Sequence, residues 1–240
     1  MDWFFGENIG ETQLITGEDA VHITKSLRMS VGELLTICDK NQTEHLCKIE
    51  CINSDGVFVR VVSEQECQNE PDISVTIFAA LTKGDKFDTV IQKSVELGVH
   101  QIVPILTSRC ISRPDRKSAD KKIIRFNKIS AQAAMQSHRA VIPEVKPLTD
   151  MKNIAPLLSG YDKVILFYEG GGKPLRELIS PKDATVAILI GPEGGFEESE
   201  VRFLQHLGAV TATLGKRILR AETAPIAALS AIMFHTGNLE

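Results

Sequence analysis

Short apolar runs bounded by turn-forming residues fill the first 70 residues and predict a β-rich region. The clearest are Leu34–Cys38, the alternating run His45–Ile49, and Gly56–Val62. Short strands at this spacing are typical of a small barrel. The polar stretch Ser63–Asp72 that follows them predicts a domain boundary, so residues 1–70 are expected to form one domain.

From Ile73 onward the hydrophobic pattern changes to strand followed by helix. The predicted strands are Val75–Leu81, Ile102–Leu106, Lys163–Tyr168, Ala184–Ile190 and Ala209–Leu214. The predicted helices are Lys86–Leu97, Lys121–Ser137, Leu175–Ile179, Glu198–Leu207 and Ala224–Thr236. The core face of the second helix is expected to carry Ile124, Ile129, Ala133 and Ala134. This alternation favours an α/β domain over residues 71–240, with a mostly parallel sheet covered by helices on both faces.

The composition is that of an ordinary globular protein, with 43% hydrophobic and 24% charged residues. No apolar run approaches the ~18 residues of a membrane span, and the start lacks a secretory pattern. No membrane association and a cytoplasmic location are therefore expected. The five cysteines form no Cys-x-x-Cys pair. They are expected to be reduced thiols without a metal, and Cys47 and Cys51 are interpreted as strand residues.

Charge is unevenly distributed behind the formal net charge of −4. Residues 1–70 carry 5 Lys/Arg against 13 Asp/Glu, whereas residues 71–240 carry 22 against 18. Eight cations lie between Arg109 and Lys128. They form either the solvated face of a helix with its leading loop, or a surface that contacts phosphates, because polyanions are bound through local charge. The acidic balance therefore does not exclude RNA.

Two strand-to-helix turns carry most of the candidate chemistry: Ile190–Phe196 and Leu214–Ala224. Each begins where a predicted strand ends, and ligands of open α/β sheets bind outside the carboxyl ends of the strands. The turns are therefore expected to form neighbouring walls of one pocket. In the first turn, Gly191, Gly194 and Gly195 allow the backbone to approach a ligand closely. The alternative is a turn that only reverses the chain.

Residues around the first turn constrain the kind of ligand. The following helix opens with Glu197, Glu198 and Glu200, which suit a helix N-terminus but would repel a phosphate. A Rossmann G-x-G-x-x-G pattern is absent, and Gly170–Lys173 lacks the other residues of a Walker A loop. A nucleoside without phosphates therefore fits better than a nucleotide.

The second turn places Arg217 and Arg220 three residues apart in an otherwise apolar run, with Glu222 beyond them. Thr223 is the expected N-cap of the last helix, and Pro225 falls in its first turn. The charged residues are interpreted as part of the site. The alternative is a structural Arg–Glu pair at the start of a helix.

These motifs together resemble the SPOUT class of RNA methyltransferases, and within it the uridine-N3 methyltransferases of 16S rRNA. Besides the two turns, the resemblance rests on motifs in the family's order along nearly the whole chain: Lys83-Gly84-Asp85-Lys86, Gln92-Lys93-Ser94-Val95-Glu96-Leu97-Gly98-Val99, Ile102-Val103-Pro104 and Ala133-Ala134-Met135-Gln136-Ser137. The chain departs from the family at Asp2-Trp3, where a basic residue is common. Trp3 is instead a candidate for stacking on a base.

The resemblance implies an N-terminal PUA-like β-barrel that binds RNA and a C-terminal domain whose backbone forms a trefoil knot. It also implies a homodimer and S-adenosyl-L-methionine as cofactor. The cofactor-binding residues that it implies are Phe167, Tyr168, Glu169, Gly191, Pro192, Glu193, Gly194, Gly195, Phe196, Leu214, Gly215, Ile218, Leu219 and Arg220. Backbone groups of Ile218 and Leu219 would hold the adenine, and Gly191 to Gly195 would line the methionine.

The implied reaction is methyl transfer to N3 of a uridine in 16S rRNA, at the family's site uridine 1498. Because the sulfonium is already an activated donor, the protein must position the reactants and help to remove the N3 proton. Arg220 is the candidate for stabilising the imide anion, and Glu222 or Glu193 for orienting it or accepting the proton. The candidate RNA-binding residues are His22, Arg28, Arg109, Arg113 and Arg139. The implied partner is the small ribosomal subunit rather than DNA.

Two other functions stay open. A non-catalytic RNA-binding or ribosome-assembly factor would keep the fold but would have no need of a cofactor pocket. A metabolic α/β enzyme that uses another nucleotide would turn over without RNA, although the missing phosphate motifs count against it. Binding of S-adenosylmethionine distinguishes the first of these from a methyltransferase.

Overall fold

The computed structural model of the protein describes residues 2–239, which form two compact units. The first unit comprises the residues up to Glu70 together with 134–142. The second comprises 71–133 and the residues from 143 onward. The hydrophobic pattern does not predict that 134–142 belong with the first unit. Among the described residues, no helix is both long enough and apolar enough to cross a membrane.

The first unit is built on one five-stranded sheet. Its strands are β1 (Trp3–Phe5), β2 (Thr12–Ile15), β3 (Leu34–Cys38), β4 (Thr43–Asn53) and β5 (Gly56–Glu66). The spatial order is β1-β3-β4-β5-β2, with β1 parallel to β3 and the other neighbours antiparallel. Between β2 and β3 lie helix α1 (Gly17–Val21) and a π-helical turn, His22–Ser26. The three predicted strands are confirmed, but β5 extends into the segment predicted as a boundary.

The core of this unit follows from strand alternation, which turns every second side chain inward. In β4, for example, His45, Cys47 and Ile49 are buried. Trp3 also lies in the core: it is 6% exposed, and its ring stacks on that of His138 with centroids 5.1 Å apart. The expectation that Trp3 stacks on an RNA base is therefore wrong, because the ring is buried within the unit.

The second unit contains a larger sheet with helices between its strands. The strands are β6 (Ser74–Ala80), β7 (Gln101–Leu106), β8 (Glu144–Val145), β9 (Thr149–Asp150), β10 (Lys163–Phe167), β11 (Lys173–Pro174), β12 (Thr185–Ile190) and β13 (Val210–Thr213). The α-helices are α2 (Lys86–Glu96), α3 (Arg116–Gln136), α4 (Ala155–Leu158), α5 (Glu198–His206) and α6 (Thr223–His235). The sheet order is β11-β13-β10-β12-β6-β7-β8, with β9 beside β7. Every pairing between these described strands is parallel, so the predicted α/β class is confirmed.

Strands β6 and β12 lie in the middle of this sheet and are buried along almost their whole length. Such continuous burial is expected for parallel strands that are covered on both faces. Phe78 and Leu189 pack in one core cluster with Leu204 of α5. Helix α6 contacts both β6 and β12 and packs against α2. The loops that carry the candidate site residues therefore begin at the ends of a sheet whose central strands are buried.

Three details of the predicted helices differ from the structure. Helix α3 begins at Arg116 rather than Lys121, and Ile124 is 63% exposed instead of facing the core, whereas Ala133 and Ala134 are buried as predicted. The predicted helix at Leu175–Ile179 is a 3-10 turn, Leu175–Glu177. Thr223 is the first residue of α6 rather than its N-cap, a position taken by Glu222.

Candidate active site

Three neighbouring strands of the larger sheet end at the same level. Phe167, the last residue of β10, lies opposite Ile190 of β12 on one side and Ala212 of β13 on the other. All three strands are parallel, so their carboxyl ends meet along one edge. The loops after β12 and β13 are the two segments that the sequence predicts as pocket walls, and the loop after β10, which lies between them, is the one that the family resemblance adds.

A cavity of about 420 Å³ opens between these loops. That volume lies within the range of small-molecule sites, about 300–1,000 Å³. All the cofactor-binding residues predicted from the motifs line this cavity except Gly194. The cavity is also lined by residues that the sequence analysis did not single out as cofactor-binding, among them Lys86, Lys216 and Arg217.

Backbone conformation and close neighbours favour glycine in the first loop. Gly195 has φ +67°, and a Cβ there would come within 2.9 Å of Glu169 Oε1. A Cβ at Gly191 would lie 3.1 Å from the ring of Phe196. Gly194 faces elsewhere: its carbonyl oxygen accepts a hydrogen bond from Arg109 Nη1 at 2.7 Å. The loop is thus folded tightly, and Gly194 supports it from outside the cavity.

The acidic residues after this loop hold its end in place. Glu197 and Glu200 form a capping box at the start of α5, in which each side chain accepts from the other residue's backbone N–H. Glu200 Oε1 also accepts hydrogen bonds from the backbone N–H and the hydroxyl of Ser108, at 2.8 and 3.0 Å. These carboxylates therefore stabilise the loop that follows β12 and bind it to the loop that follows β7.

The two candidate carboxylates meet at one lysine. Lys86 Nζ lies 3.4 Å from Glu193 Oε1 and 3.5 Å from Glu222 Oε2. Burial would raise the pKa of Glu193, but hydrogen bonds from the backbone N–H groups of Glu193 and Lys83 and from the Lys86 ammonium outweigh it and lower that pKa. Within residues 2–239, the buried atom Glu222 Oε2 accepts no hydrogen bond.

Arg220 lines the cavity together with Lys86 and Glu193, whereas Glu222 is not one of the lining residues. The carbonyl oxygen of Arg220 accepts hydrogen bonds from the backbone N–H groups of Thr223 and Ala224, both at 2.9 Å, and so begins helix α6. The alternative of a structural Arg–Glu pair at this turn does not hold for Glu222, because its ion pair in the described chain is with Lys86.

The cations predicted to contact RNA lie in different environments. His22 and Arg28 are exposed on the first unit, and Arg28 has φ +56°. In the second unit Arg109 binds the Gly194 carbonyl, and Arg113 donates to the carbonyl of Ser108 at 3.2 Å and borders a second hollow of about 480 Å³. Both arginines are exposed, and part of their hydrogen-bonding capacity supports loops.

Arg139 does not fit its predicted role in RNA binding. Only 4% of the residue is exposed, and its guanidinium binds the carboxylate of Glu70 within the first unit. A buried cation that is paired in this way contributes to the unit's structure instead of offering charge to a phosphate. Sequence alone could not distinguish this arginine from an exposed one.

The described part of the chain contains no candidate metal-binding site. No group of three His, Cys, Asp or Glu residues there is arranged to hold an ion. All five cysteines are free thiols, and burial raises the pKa of Cys47 to about 11.

Lys86 is the site residue that the sequence analysis quoted without assigning a role. It is the first residue of α2 and follows the end of β6, and β6 is the direct neighbour of β12 in the sheet. Since the carboxyl ends of parallel neighbours meet, a charged residue just after β6 is expected near the loop after β12. This prediction requires the strand order, and the sequence does not show that order.

Comparison with known proteins identifies the class of protein to which this chain belongs. A family model described as an RNA methyltransferase domain matches residues 68–233, and one described as an RNA methyltransferase PUA domain matches residues 15–62. The fold and the site therefore define a SPOUT-class RNA methyltransferase with an N-terminal PUA-like domain.

The relatives narrow this class to one family. Ribosomal RNA small subunit methyltransferase E of Bacillus subtilis is 37% identical over 229 residues, which cover 92% of this chain and 90% of the relative. The protein of the same name from Neisseria gonorrhoeae, solved bound to S-adenosyl methionine, gives a TM-score of 0.85 at 31% identity over 97% of both chains. A Legionella pneumophila methyltransferase solved with bound SAM gives 0.88 at 31% identity, over 97% of this chain and 96% of that one. The chain belongs to the ribosomal RNA small subunit methyltransferase E family, as the motifs predict.

Proposed function

We propose that this protein transfers the methyl group of S-adenosylmethionine to N3 of a uridine in 16S rRNA. The observation that carries the proposal is the glycine-lined cavity at the shared edge of β10, β12 and β13. Membership of the family supports the substrate class, and the neighbours solved with S-adenosylmethionine support the methyl donor.

The cavity suits the donor chemically. It combines apolar and aromatic side chains such as Phe167 and Phe196 with a glycine backbone that approaches closely. The backbone groups of Ile218 and Leu219 are the proposed contacts for the adenine, and Gly191 and Gly195 for the methionine part. The glutamates at the start of α5 would repel a phosphate group, but S-adenosylmethionine carries none, so they do not disfavour its binding.

The chain's own residues would supply the remaining chemistry. The N3–H group of uridine is a weak acid, so its removal at neutral pH needs a base and a stabiliser of the developing anion. Arg220 is proposed to stabilise the anion spread over N3 and the flanking carbonyls. Glu222 or Glu193 is proposed to accept the proton. The target base must be unpaired or extruded, because N3 is hidden in a Watson–Crick pair.

RNA would be held by both parts of the chain. Residues 1–70 are proposed to act as the RNA-binding PUA-like domain through His22 and Arg28, and residues 71–240 as the methyltransferase domain, in which Arg109 and Arg113 contact phosphates. The homodimer, the knotted path of the backbone and the cytoplasmic location stay predictions that follow from the family.

The direct experiment is methyl transfer from labelled S-adenosylmethionine to small ribosomal subunits that lack the modification, followed by nucleoside analysis. We expect 3-methyluridine. If the donor binds but no label reaches RNA, the proposed substrate is wrong. If calorimetry detects no donor binding either, the proposal as a whole fails and an RNA-binding factor becomes the better description.

A further inference from the structure

The loop between β13 and α6 presents unpaired positive charge to the cavity. It carries three cations, Lys216, Arg217 and Arg220, and all three line the cavity and are exposed. Within the described chain their side chains form no ion pair and no hydrogen bond. The guanidinium of Arg125, on the same unit, instead binds the Asp88 carboxylate at 2.6 and 2.8 Å. The three cations of this loop are therefore available to a ligand.

The shape of the loop keeps these side chains at the open side of the cavity. At its start, the Thr213 hydroxyl accepts a hydrogen bond from the backbone N–H of Gly215 at 3.1 Å, and Gly215, with φ +98°, turns the chain. Midway, Ile218 is 86% exposed, so the loop lies outside the packed core. Lys216 and Arg217, which lie between these two residues, are thus placed where solvent reaches the cavity.

The other charged residues of the site are acidic or already paired. The Lys86 ammonium lies within ion-pair distance of both Glu193 and Glu222. Glu169, after β10, has no ion pair in the part of the chain that the structure describes, and it lies beside Gly195 of the loop after β12. An anion that enters the cavity is therefore attracted by the loop after β13 and repelled by the carboxylates of the loops after β10 and β12.

The proposed methyl donor does not supply this anion. S-adenosylmethionine has a sulfonium, an ammonium and one carboxylate, so it is a net cation at neutral pH. Its methionine part is assigned to the loop after β12, and only its adenine to the loop that carries the unpaired cations. The target nucleotide does bring an anion, because its base is joined through a single ribose to the phosphates of the RNA backbone. A base that enters the cavity therefore places a phosphate near its rim.

We propose that Lys216 and Arg217 bind the RNA phosphate next to the target uridine and so hold that nucleotide over the cavity. The inference rests on the proposed function and names two substrate-binding residues for it. The planar guanidinium of Arg217 can donate to two phosphate oxygens at once, and the Lys216 ammonium adds a point charge. Phosphate contacts fix the register of a bound nucleic acid but do not read the base. These residues therefore contribute affinity and placement.

The test compares Arg217→Gln, Lys216→Gln and the double variant with Arg217→Lys, which keeps the charge. The matched control is Lys182→Gln. Lys182 is exposed, forms no ion pair among residues 2–239, and precedes β12, so it lies at the edge of the sheet opposite the cavity. Each variant is assayed for kcat and KM with unmodified small ribosomal subunits at several salt concentrations. Calorimetry without RNA gives the donor affinity and shows that the site is folded.

Arg217→Gln is expected to raise KM by about tenfold, the effect of losing one exposed hydrogen bond to a charged group. The value of kcat should change by less than about threefold, because the contact is made equally before and during methyl transfer. The slope of log KM against log salt concentration should fall by about 0.7 for each lost contact with single-stranded RNA, and the double variant should show about twice that fall. Arg217→Lys should keep the slope.

The two remaining expectations separate a phosphate contact from other roles of these cations. Donor affinity without RNA should be no weaker than in the wild type for each of the Lys216 and Arg217 variants. Lys182→Gln should match the wild type in KM, in kcat and in salt slope.

Three results overturn the inference. A donor affinity that falls by tenfold or more in Arg217→Gln means that the cations bind the donor carboxylate. An unchanged KM and salt slope in the double variant mean that no phosphate is bound there. An equal effect of Lys182→Gln means that only the overall charge matters. In each case, formation of 3-methyluridine by the wild type leaves the proposed function intact. If the wild type forms none, the proposed function fails first and the inference falls with it.

Discussion

The guanidinium of Arg139 is bound by the carboxylate of Glu70, with Nε 3.2 Å from Oε1. The backbone N–H groups of Ala140 and Val141 donate to the same oxygen at 2.9 and 3.1 Å. Glu70 ends the first segment of the first unit, and its carboxylate thus binds the residues that follow α3 to that segment. This arrangement explains why residues 134–142 group with the N-terminal part of the chain.

Replacing Arg139 by Met should destabilise the first unit by about 3 kcal/mol, at the lower end for buried pairs, because it leaves the partly buried Glu70 carboxylate without its cation. Trp3 is the single tryptophan and is buried in this unit, so its fluorescence during urea unfolding reports on the unit directly. The matched control is Arg60→Met, which breaks an exposed pair with Glu50 and should hardly move the urea midpoint. Normal stability with weakened RNA binding would restore Arg139 to the RNA contacts.

Arg28 should contribute affinity for RNA without contributing stability. Arg28→Gln is expected to weaken binding of 16S rRNA fragments to a similar degree for all sequences and to reduce the salt slope by about 0.7–0.9 per lost phosphate contact. Lys40→Gln serves as control, since Lys40 is already paired with Glu7 at 2.6 Å. Equal losses in the two variants would mean that only the overall charge of the unit matters.

Gly195→Ala should weaken binding of S-adenosylmethionine by about tenfold or more, equivalent to about 1.4 kcal/mol. The alanine must adopt φ +67°, which L residues disfavour, and its Cβ would lie 2.9 Å from Glu169 Oε1, so the Glu169 side chain, which lines the cavity, has to shift. Gly208→Ala is the control: it has φ +92°, and no described atom lies within 4 Å of the new methyl. Calorimetry that gives both variants the wild-type affinity would exclude Gly195 from the donor site.

Arg220→Ala should lower kcat by more than about 100-fold, the effect of removing a donor that stabilises developing negative charge. Donor affinity should change little, because adenine and methionine are assigned to backbone groups. Arg220→Lys keeps the charge but not the planar fork and should give an intermediate rate. Single-turnover methyl transfer to unmodified subunits measures this, and an unchanged rate removes Arg220 from catalysis.

Stability at low pH should depend on Asp39. Burial would raise its pKa, but hydrogen bonds from the Thr43 N–H, the His45 ring and the Asn41 N–H outweigh burial and lower it. A lowered carboxyl pKa contributes stability that is present above the unfolded value of about 3.9 and is lost as pH falls through the folded value. Asp39→Asn should therefore cost about 1–2 kcal/mol at pH 7 and flatten the fall in stability below about pH 4. Parallel pH profiles of urea unfolding, followed by Trp3 fluorescence, would contradict this.

Much of the fold is readable from local patterns because burial periodicity is a local property. The predicted strands Leu34–Cys38 and Ala184–Ile190 match β3 and β12 within one residue. Ile124 shows the limit of the same rule: it fits the apolar stripe of α3 but is 63% exposed. Periodicity identifies which residues share a helix face, whereas the neighbouring elements decide how much of that face is covered.

The sequence by itself determined the order of the principal strands and helices, the two loops at the strand ends and the family, because each depends on residues close together in the chain. Only the tertiary structure decided which charges meet. Lys86 and Glu193 are 107 positions apart and become neighbours because β6 lies beside β12. The sequence suggests that Arg139 is a surface cation, whereas in the structure it is buried and paired with Glu70. A charge is stable inside a protein only beside a partner, and that partner comes from the packing of distant segments.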